Sequence, residues 1–256
     1  MAFQQERIDV RGTRITLKRG GEGRKLLYLH GANGAPGVRP FMEMLAQSYD
    51  VLVPEHPGFG GSDEPEWLDT IHDLAYFYLD FLEKLDLRDV HLVGSSLGGW
   101  LALEIAVRDR SRLSALTAVG PLGIYVPGVK RGDMFLWSPE EKVRNLFYDQ
   151  KLADRMLAVP MSPEQAELEV KNLHAVARLA WEPRMYDPHL AKWLHRIKLP
   201  TQIIWGHHDK VLPPAYAKEF QKLIPGARVD IVRQCGHLPH TEKPEEFVRL
   251  VKDFFR

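Results

Sequence analysis

Short apolar runs alternate along this chain with longer stretches whose apolar residues recur every third or fourth position. The runs have the character of strands and the stretches that of helices. Residues 8–11 and 14–18 alternate across Gly12-Thr13, which predicts an antiparallel pair closed by a tight turn. Residues 25–29 are apolar on both faces, as a strand inside a sheet requires. Residues 38–48 take helical spacing, with Phe41, Met44 and Leu45 on one side. The pattern continues with a strand at 50–54, an amphipathic helix at 70–85, a strand at 89–93, a helix at 97–108 and a strand at 113–119. It resumes late, with strands at 200–205 and 228–232 and helices at 214–223 and 244–255. Strand then helix, repeated, predicts an α/β fold: a mostly parallel sheet of about eight strands with helices on both faces.

Residues 123–197 break this rhythm. They hold no buried strand but show helical stretches at 139–149, 163–180 and 188–196, set off by Pro127, Pro139, Pro160, Pro163, Pro183 and Pro188. We read residues 1–122 and 198–256 as one core and residues 123–197 as a helical insertion into it.

Composition narrows the class. The 256 residues are 45% hydrophobic and 27% charged, which is globular and excludes a disordered or collagen-like chain. Lys+Arg and Asp+Glu number 34 each, so no overall charge draws the protein to nucleic acid or to an anionic membrane. The one cysteine, Cys235, cannot form an internal disulfide, and the small buried hydrophobe is its commoner role. There is no basic start followed by an apolar run, and no uninterrupted apolar stretch of about 18 residues. The expectation is a soluble, cytoplasmic protein.

The sharpest chemical signal is Gly94-Ser95-Ser96-Leu97-Gly98-Gly99, which follows an apolar strand and opens a helix. In that context Gly-x-Ser-x-Gly is a nucleophile elbow. The side-chain-free Gly94 and Gly98 let strand and helix close around Ser96, and the helix N-terminus favours negative charge developing beside it. Serine needs a base. Among 11 histidines, His237 is placed by its loop directly after the last strand. An acid should orient it, and Asp209 ends a strand in Trp205-Gly206-His207-His208-Asp209. The order Ser96, Asp209, His237 is that of the α/β-hydrolase architecture.

These segments resemble the α/β-hydrolase fold superfamily over essentially the whole chain, in its serine-nucleophile, carboxylesterase-like branch. His30-Gly31-Ala32-Asn33-Gly34 is similar to its oxyanion loop after the third strand. Glu55-His56-Pro57-Gly58-Phe59-Gly60-Gly61-Ser62 resembles its Asp-x-x-Gly-x-Gly-x-Ser loop, with Glu55 in place of aspartate. Residues 205–213 resemble its acid loop, and Gly236-His237 with Glu242-Lys243-Pro244 its histidine loop. Some members carry the acid one strand earlier; here that strand ends in Gly120-Pro121-Leu122, without a carboxylate. The resemblance implies that residues 123–197 form a cap over the site. An oxyanion formed by attack on a carbonyl needs donors already in place. Leu97 N–H is one candidate. The second is Ala32 N–H, with Asn33 N–H as the other possibility on that loop.

Each residue has a plainer reading. Ser96 could be a helix N-cap, Asp209 a turn residue and His237 a hydrogen-bonded loop histidine. Elbow, acid and base in this order outweigh those readings. The run His207-His208-Asp209 and the pair His237-x-x-His240 invite a metal. Adjacent side chains on extended backbone point apart, however, and His-x-x-His lacks the remaining ligands of a zincin, so no metal is expected. Gly20-Gly21-Glu22-Gly23 reads as a turn. The insertion's Trp137 and Tyr148 are candidates for contact with substrate, as is Asn33.

The expected function is a cofactor-free serine hydrolase of small to medium carboxylic esters with an apolar part. Its partner is thus a small molecule, with no nucleic acid and no membrane, and its oligomeric state is open. Two rivals stand beside it. One is a C–C bond hydrolase of ring-cleavage products, a branch with the same fold and triad. That branch shows a His-Gly-Gly-Gly-Pro-Gly loop, Asn before the serine and Trp after the catalytic His-Gly pair, where this chain has Ala32-Asn33-Gly34-Ala35-Pro36-Gly37, Ser95 and Leu238. The other is a non-catalytic ligand receptor on the same fold.

Overall fold

The computed structural model describes residues 2–255. Eight strands form one sheet. In chain order they are β1 (Gln4–Val10), β2 (Thr13–Gly20), β3 (Arg24–Leu29), β4 (Tyr49–Pro54), β5 (Val90–Ser95), β6 (Leu113–Val119), β7 (Thr201–Gly206) and β8 (Arg228–Val232). Across the sheet the order is β1-β2-β4-β3-β5-β6-β7-β8. β1 pairs antiparallel with β2, and β2 with β4; every later pairing is parallel.

Successive side chains on a strand face opposite ways, so apolar runs feed two cores. Leu26, Tyr28, Val51, Val53 and Ile204 face one core, with Phe41 and Leu45 of α1 (Pro40–Ala46) and Phe247 and Val251 of α10 (Pro244–Phe254). Leu27, Leu29, Leu92 and Ile203 face the other, with Leu74, Phe77 and Tyr78 of α2 (Ile71–Lys84), Leu101 and Ile105 of α3 (Leu97–Arg108) and Phe220 of α8 (Ala215–Leu223). Local chemistry sets the start of two of these helices. Thr70 caps α2 by accepting from Asp73 N at 3.1 Å, and Asp73 returns a bond to Thr70 N at 3.0 Å. α1 begins at Pro40, later than the spacing predicts, because proline suits the first helical turn.

Between β6 and β7 the chain forms α4 (Pro139–Leu146), α5 (Gln150–Leu157), α6 (Pro163–Ala180), the short α7 (Leu190–Trp193) and a 3-10 turn at Leu194–Arg196. The stretch expected as one helix over 139–149 breaks at Phe147, which is extended (φ −117°, ψ 142°), and Asp149 caps a new helix. α6 is fastened to the core by polar ties. Lys171 Nζ donates to Gly60 O at 2.7 Å and Ser62 O at 3.1 Å, and Arg178 pairs with Glu64 at 2.8 Å. Among the described residues no helix is long and apolar enough to cross a membrane.

Candidate active site

β5 ends at Ser95 and α3 begins at Leu97, leaving Ser96 alone at the turn with φ 55° and ψ −114°. A serine in the left-handed region stores about 1–3 kcal/mol of strain, held only where its surroundings over-determine it. Here Ser96 N donates to Val119 O at 2.8 Å, and Ser96 O accepts from Leu122 N at 3.2 Å. The elbow glycines are required by close approach. A methyl on Gly94 would lie 2.1 Å from Gly98 O, and one on Gly98 would lie 2.1 Å from Leu29 O.

The loop after β8 carries His237 to this turn. His237 Nε2 lies 2.9 Å from Ser96 Oγ, and Nδ1 lies 2.7 Å from Asp209 Oδ2. A carboxylate only accepts, so Nδ1 bears the ring proton and the Nε2 lone pair faces the serine hydroxyl. The other oxygen of Asp209 accepts from Val211 N and Leu212 N, each at 2.8 Å, which fixes the carboxylate in a turn after β7. Asp209 and His237 are 5% and 2% exposed, so solvent barely competes for these bonds. Gly120, at φ 48°, makes room for the ring: a methyl there would sit 3.3 Å from the imidazole.

The loop after β3 lies against the serine, a methyl on Gly31 falling 3.3 Å from Ser96 Cβ. Ala32 and Asn33 line the cavity beside Ser96. Leu97 opens α3, so its N–H has no intrahelical acceptor. Beneath that loop His30 is fully buried, and burial lowers it to about 3, with its bond to Gly31 O opposing the shift and the Lys18 charge adding to it. His56, stacked on it, is also pushed well below the usual imidazole range, by burial first and the His30 charge second.

Ser96 and His237 line a cavity of about 130 Å³. The insertion contributes Met134, Trp137, Leu146, Phe147 and Met156 to its wall. Trp137, a candidate for contact with substrate, is one of these lining residues. Tyr148 is not among the lining residues; it stacks on His208 with ring centroids 4.3 Å apart and is half exposed. Sequence reasoning passed over Asn172 of α6, which accepts from Gly60 N at 3.0 Å and donates to Asn33 O at 3.2 Å. An asparagine amid an otherwise amphipathic helix was its only signal. Cys235 is buried, and burial, reinforced by Glu242, raises its thiol. Away from the cavity, His72, Glu104 and Asp187 bring ligand-type atoms within 4.8 Å of one another. They are already paired: His72 Nε2 lies 3.2 Å from Asp187, and Arg108 lies 2.5 Å from Glu104.

Similar proteins share this frame. A 2-hydroxy-6-oxo-6-phenylhexa-2,4-dienoate hydrolase of Comamonas testosteroni is 28% identical over 92% of this chain and 89% of its own length. A 2-hydroxymuconate semialdehyde hydrolase of Pseudomonas putida is 28% identical over 95% and 91%. The solved 2-hydroxy-6-oxo-6-phenylhexa-2,4-dienoate hydrolase of a Rhodococcus strain superposes with a TM-score of 0.80 over 100% of this chain and 99% of its own, at 19% identity, a likeness of fold. The profile of the alpha/beta hydrolase family matches residues 26–250. Elbow, sheet order and family profile agree, and the chain belongs to the alpha/beta hydrolase family.

Proposed function

We propose that this hydrolase cleaves small to medium carboxylic esters with an apolar part, through an acyl-enzyme on Ser96. The observation that carries the serine mechanism is the unbroken hydrogen-bonded chain Ser96–His237–Asp209, and the departures at Ala32-Asn33, Ser95 and Leu238 from the ring-cleavage branch favour the ester. Ser96 Oγ attacks the carbonyl carbon while His237 Nε2 takes its proton. The carbonyl oxygen becomes an oxyanion, which the N–H groups of Ala32 and Leu97 receive. His237 then hands the proton to the departing alcohol. Water, deprotonated by the same nitrogen, attacks the acyl-enzyme and releases the acid. Asp209 holds the ring in the required tautomer and balances the imidazolium charge. No step asks for a cofactor.

Residues 123–197 serve, on this reading, as the cap that shapes the substrate space. Support comes from Met134, Trp137 and Phe147, which make the wall on the insertion side mostly apolar, with Lys142 its one charged member.

A second reading is favoured by the relatives, whose names describe hydrolases of ring-cleavage products. Arg39 lines the cavity and would suit the carboxylate of such a substrate. Ala32-Asn33, Ser95 and Leu238 stand where that branch has Gly-Gly, Asn and Trp. The deciding experiment compares kcat/KM for a series of p-nitrophenyl esters with that for a 2-hydroxy-6-oxodienoate, using Ser96→Ala as blank. Faster ester turnover supports the first reading. Faster dienoate cleavage establishes the second, and binding without turnover of either would make the protein a receptor.

A further inference from the structure

We propose that Glu242 is a positioning residue for His237, clamping the loop that carries the base against residues 146–149 of the insertion. The proposal rests on the reading of His237 as the base. Glu242 closes α9 (Pro239–Glu242), a single turn just beyond His237. Its two carboxylate oxygens face in different directions. Oε2 accepts from Gly236 N at 2.6 Å, immediately before the histidine, and Oε1 accepts from Asp149 N at 2.6 Å, at the cap of α5. Both are short bonds to a charged acceptor, a class about twice as strong as neutral ones. The N-terminal end of α5 adds a favourable field for the carboxylate.

The backbones on either side are in direct contact. His237 N donates to Leu146 O at 2.8 Å. A methyl on Gly236 would fall 2.4 Å from Leu146 O and 2.9 Å from Tyr148 N, so glycine is what lets the insertion come this close. His237 must satisfy two demands at once, Nε2 at 2.9 Å from Ser96 and Nδ1 at 2.7 Å from Asp209. Those bonds hold the ring. The backbone bearing it is held by Leu146 O on one side and, through Gly236, by Glu242 on the other. The 146–149 segment is therefore part of the scaffold of the base, as well as neighbouring the cavity wall. A misplacement of about 1 Å at a reacting group costs on the order of 10²-fold in rate.

The test measures ester turnover, labelling of Ser96 by a fluorophosphonate, and thermal melting for wild type, Glu242→Gln and Glu242→Asp. A glutamine offers one acceptor oxygen and turns an NH2 donor toward the other N–H. Glu242→Gln should lower kcat and the labelling rate together by about 10- to 10²-fold while KM moves less than about 3-fold. Glu242→Asp, which keeps a carboxylate on the loop, should recover part of that loss. A folded Glu242→Gln protein with kcat and labelling rate within about 2-fold of wild type overturns the proposal. Should Glu242→Gln fail to fold, Asp149→Pro removes the donor on the insertion side at a residue whose φ of −71° suits proline. An unchanged kcat there overturns the clamp, and a fall in kcat at constant KM supports it. If wild type itself neither hydrolyses esters nor labels at Ser96, the reading of His237 as base falls first, and the proposal with it.

Discussion

The imidazole of His30 lies on that of His56 with ring centroids 3.7 Å apart, and all four ring nitrogens have hydrogen-bond partners. His30 Nε2 accepts from His56 N at 3.0 Å, so His30 bears its proton on Nδ1, which donates to Gly31 O at 2.8 Å. His56 Nε2 donates to His30 O at 3.0 Å, and its Nδ1 accepts from Tyr78 Oη at 2.5 Å. A second proton on His30 would set its Nε2–H against His56 N–H beneath the loop that carries Ala32.

Acid should therefore unfold this protein early. His30, His91 and His240 are lowered to about 3, and His56 well below its usual value, each chiefly by burial. The folded state refuses protons that the unfolded chain takes up near about 6.5. For His30, His91 and His240 the contribution is complete above about pH 6.5 and is lost as pH falls toward 3, each of these three costing about 2 kcal/mol at pH 5, and His56 acts in the same direction. Urea midpoints at pH 7.5 and pH 5 check this. A midpoint that does not fall at pH 5 contradicts the burial argument.

Ser96→Ala should lower kcat by at least about 10³-fold and abolish fluorophosphonate labelling, because serine, base and acid act as one unit. Retention of most activity would exclude Ser96 as the nucleophile.

Gly98→Ala should yield little folded protein. Its methyl would meet Leu29 O at 2.1 Å and His30 O at 2.5 Å, both backbone atoms of a central strand and of the loop after it. Overpacking of a rigid site costs roughly 1–3 kcal/mol or more. Melting of whatever soluble fraction is obtained should show a lowered Tm; wild-type stability with wild-type activity would mean the elbow relaxes as the contacts do not allow.

Trp137→Ala should shift the preferred acyl chain length in an ester panel, since Trp137 lines the cavity. Tyr148→Ala should leave that profile nearly unchanged, because its ring rests on His208. Apolar walls discriminate by about 1–3 kcal/mol per methylene at most, so the profile should be broad. Equal shifts in both variants would place Tyr148 in the substrate space after all.

Most of the frame is legible in the chain because strand periodicity and elbow glycines act locally. The strands of the parallel core and the turn at Ser96 fall within a residue or two of their expected bounds. β1 is longer than expected because Gln4, Gln5 and Glu6, exposed at the sheet edge, carry no apolar alternation. α5 was missed because Tyr148-Asp149 looks like the tail of one helix, whereas Phe147 turns the backbone out. Tyr148 and Asn172 show the deeper limit. Spacing tells which face of an element a residue occupies, but what that face meets depends on how the insertion docks. Glu242 lies in a recognisable histidine loop, yet nothing in its own segment reveals that Asp149 is its second partner.

Ser96 and His237 stand 141 positions apart, and the sheet reaches from β5 to β8 only by way of β6 and β7. During synthesis the elbow is made first and His237 follows 141 positions later, an interval of about 7–28 s at about 5–20 residues per second. Throughout that time the nascent chain carries its serine without the imidazole that would activate it. On the proposed reading, latency is thus written into the chain order of the three groups, and a chain that ends before β8 carries the serine without its base.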